Sequence, residues 1–266
     1  MRQVYGTSQG RLLGIVHADG VLLSAAAQYG GGTVWADARD LAGTVNGATV
    51  QTLPSRIGAD FAQATAGQRP IFLASGFPDG GPALSFDGAA MNMASATDMS
   101  AFSKATVFVS FHHPAQVNLF EVLVEYGTYF AGPGNGWTIM GSTIGAVDRI
   151  YTGIGVNPTY SDHYYSNQSV GTKVLSATYD TALAKGSEMQ FSSDGVYVAP
   201  TGTGVGAGAA GNWASASLTI GARLNAGLPE RHFVGLIREV FVVPDVVSQN
   251  DTFSISQALR VKSGLR

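Results

Sequence analysis

The chain has 266 residues, a formal net charge of −3 and a pI near 5.9, a balance that offers no basic footprint for nucleic acid. It has no cysteine, which excludes disulfides and thiolate metal sites. Charged residues make up only 12 % of it, against roughly 25 % in a usual soluble domain, so its surface suits packing against other subunits and a homo-oligomer is expected.

Residues 1–32 read as an N-terminal arm for docking or assembly: apolar snippets at 12–16 and 21–23, alanines at 25–27, then Gly30, Gly31 and Gly32. A first strand pair of the main sheet is an equal alternative for this stretch. His17, Asp19 and Gly20 split what would be the apolar core of a signal peptide. No run approaches the ~20 apolar residues of a membrane helix, so no membrane insertion is expected.

From Thr33 the chain reads as strand, turn and strand. Val34 to Asp37 leads to the tight-turn pair Asn46 and Gly47. Residues 76–82 (GFPDGGP) are turn chemistry. Residues 104–111 (KATVFVSF) and 117–126 (VNLFEVLVEY) are the clearest strands of the first half, and a strand around Trp137 follows. Residues 145–170 are polar and tyrosine-rich, with further strands at 174–179 and 187–191. Asp194 and Gly195 signal a hairpin, and 199–211 (APTGTGVGAGAAG) is a low-complexity loop.

The closing stretch, 218–243, holds two β-type runs. The second alternates around Val234, Leu236, Val240 and Val242, the pattern of a half-buried antiparallel strand, and the alternation breaks at Arg238 and Glu239. Ser248 then caps a short helix over 250–262 that Gly264 stops. About 12–14 short strands without βα alternation predict an all-β fold. The expectation is a two-sheet antiparallel jelly-roll sandwich over 33–266, with an N-terminal arm and a short C-terminal helix.

Several landmarks resemble the concanavalin A-like lectin and glucanase jelly rolls, in the laminin-G-like form found in phage virion and bacterial surface proteins. They are Trp35-Ala36-Asp37-Ala38, Arg69-Pro70, the 82–88 segment PALSFDG, the strand around Thr106 to Val109, Ile220-Gly221-Ala222-Arg223, and 233–240 with the helix after it. The resemblance covers 33–266 and leaves 1–32 outside it. It implies a non-enzymatic virion structural protein, a capsid decoration or a tail or fibre component. The arm would join other virion proteins, and the jelly roll would bind a host-surface polysaccharide. A cell-surface or secreted bacterial adhesin or lectin is the alternative, and a glycoside hydrolase a weaker one.

For hydrolysis, Glu121 and Glu125 form the outer pair of an E-x-D-x-E-like strand, but Leu123 stands at the middle acid. A spacing of four puts both on one face. At ~13 Å along a strand they stand too far apart for the ~5–5.5 Å or ~6.5–9.5 Å of glycosidase pairs. The G-x-S-x-G at 6–10 and the G-x-G-x-x-G at 206–211 lack the strand–helix context their chemistry needs. His112 and His113, like Asp162 and His163, are adjacent and so face opposite sides of a strand, a poor arrangement for metal ligands. No cofactor is expected. A structural calcium ion on Asp162, Asp180 and Asp194 lacks the dense acidic spacing of a dedicated loop.

The candidate ligand-binding set is the aromatic and amide cluster Tyr126, Tyr129, Asn135, Trp137, Tyr160, Asp162, Tyr164, Tyr165 and Asn167. Aromatic faces hold sugar C–H surfaces while amides and carboxylates take hydroxyls. The competing expectation is that Trp137 is core and the tyrosines form a protein–protein contact.

Overall fold

A computed structural model describes residues 7–114, 119–128, 135–144, 147–156, 159–203, 211–225 and 227–265, with side chains from residue 17 onward except at 128, 144 and 159. The framework is helix α1 (Thr7–Tyr29), then β1 (Val34–Asp37), β2 (Lys104–His113), β3 (Phe120–Thr128), β4 (Asn135–Ile144), β5 (Val147–Val156), β6 (Thr159–Ser166), β7 (Gly171–Asp180), β8 (Met189–Ser193), β9 (Val196–Tyr197), β10 (Val234–Val243) and helix α2 (Gln249–Lys262). Two antiparallel sheets result. The first runs β9-β8-β7-β2-β10-β1 and ends on Ser55–Ile57, and Ala83–Asp87 also pairs with β10. The second runs from Gly202–Thr203 through β6-β5-β4-β3 to Leu218–Ile220 and on to short strands from the first third of the chain.

The sheets meet through their inner faces. Val107, Val109, Leu175, Ala177, Val240 and Val242 of the first pack in one cluster with Trp137, Ile139, Ile150, Ile154 and Tyr165 of the second. The expected two-sheet sandwich is therefore present. The closing strand departs from expectation in one respect: β10 is buried on both faces, not half-buried. Phe241 and Val243 point away from the sandwich into a second cluster with Trp35, Phe108 and Val174, roofed by Leu22, Ala25 and Ala26 of α1 and by Ile255 and Leu259 of α2. A strand covered on both sides reads as a continuous apolar run, as 240–243 does.

The N-terminal arm is a helix, which overturns the strand-pair alternative. Its buried positions Ala18, Leu22, Ala25 and Ala26 fall at i, i+4, i+7 and i+8, one face of a helix. Gly10, Gly14 and Gly20 and the many small residues blur that period in the sequence. α2 begins as expected, with the Ser248 side chain accepting from the Asp251 amide. The Tyr29 hydroxyl donates to Asp251 at 2.8 Å and ties the helices together.

The break at Arg238 and Glu239 is a β-bulge, where the register of β10 against β2 shifts between Ile237 and Glu239. It sends both charges into buried pairings. Arg238 donates to Asp79 (2.9 and 2.6 Å), to Pro82 O and to Lys262 O, with its guanidinium over Phe77.

Candidate functional site

The outer face of the second sheet carries a row of outward aromatic side chains. The register places Val122, Met140, Tyr151 and Tyr164 side by side across four strands, and Val122, Met140 and Tyr151 form a small buried cluster there. Phe120, Tyr160 and Tyr164 pack against that cluster while staying partly exposed. Phe120 meets Tyr151 edge-on at 5.9 Å, and Tyr151 and Tyr164 lie 5.7 Å apart, so the rings form a row.

Next to this row β5 carries glycine at 153 and 155. Gly153 pairs with Asp162, and Gly155 with Tyr160 and Gly136. Asp162 and Tyr160 therefore stand beside glycine backbone on β5, two and four residues along the strands from the Tyr151–Tyr164 pair.

Two arginines end the row. The Arg149 guanidinium lies 4.6 Å over the Tyr164 ring with Nη1 3.4 Å from the Tyr151 hydroxyl, and Arg231 stacks 4.6 Å over Phe120. Among the described residues no carboxylate lies within ion-pair distance of Arg149, and its Nε has no hydrogen-bond partner. Beyond Phe120 the face opens into a groove of about 480 Å³ lined by Gly88, Leu119, Phe120, Arg231 and His232. The Gly202 backbone presses on the Tyr164 ring so closely that a Cβ there would lie 2.4 Å from the hydroxyl oxygen.

The predicted cluster is divided by strand alternation. Tyr160, Asp162 and Tyr164 share the outer face, whereas Tyr165 points inward, is 1 % exposed and stacks on Phe191 at 4.3 Å. Trp137 is core, stacked between Tyr126 and Tyr179 at 6.2 and 5.5 Å. The buried Tyr126 hydroxyl takes the Met99 and Ala216 amides and has Asp98 and Ala214 O as acceptors for its one proton, and burial pushes its pKa up to about 12. As packed, Tyr126, Trp137 and Tyr165 offer no face to a ligand. Asn135 accepts from the Ala214 amide, and Asn167 sits in a turn at φ 60°. Tyr129 lies outside the described residues. Met140, Arg149 and Tyr151 were not singled out. Their signal was the period-two spacing of 149 and 151 opposite 164 and 166.

The two glutamates do not share a face. A register shift in β3 opposite Ile139 and Met140 turns Glu121 inward, with Oε2 2.8 Å from His113 Nε2, and Glu125 outward beneath Arg223, whose Nε lies 3.0 Å from both carboxylate oxygens. Both are fully buried. No open carboxylate pair of the glycosidase kind exists at these positions.

The histidines fall as strand alternation requires. His112 meets Thr172 on one side of β2, and on the other His113 Nδ1 lies 2.7 Å from Ser169 O. Asp180 pairs with Lys104 at 3.3 Å and Asp194 accepts from the Val174 amide, so these two candidate calcium ligands serve local structure. Among the described residues no group of three His, Asp or Glu is placed to hold a metal ion.

A second concentration of charge lies under the helices, and sequence reasoning missed it. Asp19, Asp37, Asp40 and Glu239 meet Arg39, Arg56 and Lys262 around Trp35. Lys262, fully buried, contacts Glu239, reaches Asp19 at 2.7 Å and Asp37 at 3.3 Å, and sits 4.5 Å over the Trp35 ring. Trp35 Nε1 donates to Glu239 at 2.6 Å. Burial works to raise the Asp37 carboxyl, but the Arg39 hydrogen bond and the charges of Lys262 and Arg39 outweigh it and hold the pKa at about 2. Burial and the nearby Asp37 charge push Glu239 the other way. The cluster joins α1, α2 and the first sheet, with Asp37, Glu239 and Lys262 buried at its centre and Asp19, Asp40 and Arg56 partly exposed at its rim.

No protein-family model matches the chain, and no curated protein matches its sequence. Solved structures of distant likeness include the sialidase CBM40 of Ruminococcus gnavus bound to α2,3-sialyllactose, with TM-score 0.45 and 13 % identity over 58 % of this chain and 83 % of that one. Domain 4 of AbnA, an extracellular GH43 arabinanase from Geobacillus stearothermophilus in complex with arabinotriose, gives 0.47 and 17 % over 73 % and 84 %. A SAP-like pentraxin from Limulus polyphemus gives 0.47 and 14 % over 65 % and 80 %. Likenesses at these values bring neither ligand nor activity to this chain.

Proposed function

We propose that this domain is a non-catalytic carbohydrate-binding module whose ligand lies along the outer face of the second sheet. The observation that carries this reading is the partly exposed ring pair Tyr160 and Tyr164 beside Asp162 and Arg149, which has no acidic partner among the described residues. Rings supply flat apolar contact to sugar C–H surfaces, and the carboxylate and guanidinium take hydroxyls or an acidic substituent. The burial of Glu121 and Glu125 in ion pairs favours binding over hydrolysis. The test is a glycan array followed by calorimetry on the intact chain. Binding that drops at least tenfold in Tyr164→Ala with an unchanged melting temperature supports the reading. Array silence, or binding indifferent to Tyr160, Tyr164 and Arg149 variants, would sink it.

We further infer that the module is carried on a larger assembly, a bacteriophage virion or, alternatively, a bacterial surface, through α1. The observation favouring this is the exposed side of α1, where Gly20, Leu23 and Ala27 carry no charge. Because α1 also roofs the first sheet, Leu23→Glu is a cleaner test than deleting the arm. Loss of the variant from particles, with the wild-type chain present at fixed copy number by mass spectrometry, supports the assembly role; recovery of the chain only on cells or in medium points to an adhesin.

A further inference from the structure

We propose that the domain has a second ligand site on the opposite side of the sandwich, beneath the first turn of α2, and that it takes a neutral sugar or polyol. On this side the first sheet changes character. Toward β10 its outer face is apolar under the helices, but toward its edge it turns to hydroxyls and amides. Ser176 pairs with Ser192, Thr178 with Gln190, and Ser192 with Tyr197, so these side chains form two short rows on one face. With Gln249 and Thr252 of α2 above them they enclose a cavity of about 120 Å³. At roughly 10–15 Å³ per water, that is room for several waters or one small polyhydroxyl molecule.

Three of the lining residues are deeply buried: Ser176 is 2 % exposed, and Thr178 and Ser192 are each 9 % exposed. Among the described residues, none of these hydroxyls and neither the Gln190 amide nor the Tyr197 hydroxyl has a hydrogen-bond partner in the protein. Buried polar groups are satisfied somewhere. Gln190 and Tyr197 reach open solvent, whereas the Ser176, Thr178 and Ser192 hydroxyls line the cavity, and whatever fills it is their partner.

The lining also selects the ligand's chemistry. It contains no Asp, Glu, Lys, Arg or His. Serine and threonine hydroxyls and the glutamine amide each donate and accept, which is what a sugar or polyol hydroxyl requires in return. Tyr197, 52 % exposed at the rim, offers an aromatic face to the C–H side of such a molecule. A helix N-terminus alone would favour an anion, but Asp251 occupies the first turn of α2 and its negative charge opposes a second one. The Asp194 carboxylate, in the neighbouring turn, already accepts from the Val174 amide.

This site stands apart from the tyrosine face, so one experiment separates them. Saturation-transfer NMR on the intact chain with millimolar glucose, galactose, arabinose, N-acetylglucosamine and glycerol reports direct contact. Gln190→Ala and Tyr197→Ala alter exposed positions and leave the core intact, and Tyr164→Ala reports on the other face. The expected result is a signal from at least one of these molecules that persists in Tyr164→Ala and, on that background, falls at least tenfold with either edge substitution. Silence across the panel, a signal that the edge variants leave untouched, or displacement of the signal by sulfate would each overturn the proposal.

Discussion

Lys262, near the end of α2, lies 4.5 Å above the ring of Trp35 at the start of the sandwich, and Glu239 accepts from both residues. The three side chains are almost wholly buried, and the contact joins the C-terminal helix to two strands of the first sheet. Its energetics follow from desolvation: a buried charge is tolerable only while its partners stay in place.

Lys262→Met should therefore destabilise the fold by about 3–5 kcal/mol, since it strands Glu239 and Asp37 in the interior. Chemical denaturation reads the loss. The double variant Lys262→Met, Glu239→Gln should recover part of it, and a single variant as stable as wild type would contradict the role given to the cluster.

Asp37 predicts an acid limb. Its carboxyl is held at about 2 against an ordinary 3.8, so the native state resists protonation. The stability it supplies is complete above 3.8 and drains away as pH falls toward about 2. Asp37→Asn should flatten that limb. Glu239, shifted upward, acts in the opposite sense, which makes the Asp37 variant the informative one.

His163 predicts a second, milder dependence. The ring is 1 % exposed, and burial lowers its pKa from 6.5, with Lys185 adding to the shift and Glu188 and Asp162 opposing it. The unfolded chain takes up the proton first, so stability is full above 6.5 and declines as pH drops through 6.5 toward the lower folded value. Melting curves of wild type and His163→Gln between about pH 5 and 8 should diverge below the ordinary histidine value.

Adjacent tyrosines should behave oppositely. Tyr165→Ala removes a ring stacked on Phe191 in the core and should cost about 3–5 kcal/mol, like other large aromatic truncations. Tyr164→Ala, on the partly exposed outer face, should change stability by less than about 1.5 kcal/mol, the loss of one ring-pair contact. It should nevertheless be the variant that weakens glycan binding.

The sandwich was legible because short β-type runs between turn residues leave few other architectures for a chain of this composition. Strand alternation also separated His112 from His113 correctly. Two local devices escaped it. The bulge in β3 reversed the relation between Glu121 and Glu125, and the bulge at Arg238 gave two successive charges buried roles. The second shows in the sequence only as a broken alternation, which does not say where the two side chains go, and the first leaves no mark on period at all. The charge cluster was hidden for a different reason. Its members come from α1, the β1 region and both ends of the 238–262 segment, and only tertiary folding brings them together. The candidate binding face was half visible: counting tyrosines located β6, but only pairing with β5 and β4 revealed which rings share a side and that Arg149 stands with them.

Both helices clad the same side of the sandwich, the one turned away from Tyr160 and Tyr164. A tether, tag or neighbouring module joined to either helix therefore attaches at the back. The tyrosine face lies on the other side of the domain, so under the proposed reading many copies fixed to one support would present it outward and could grip a repeating polymer together by avidity.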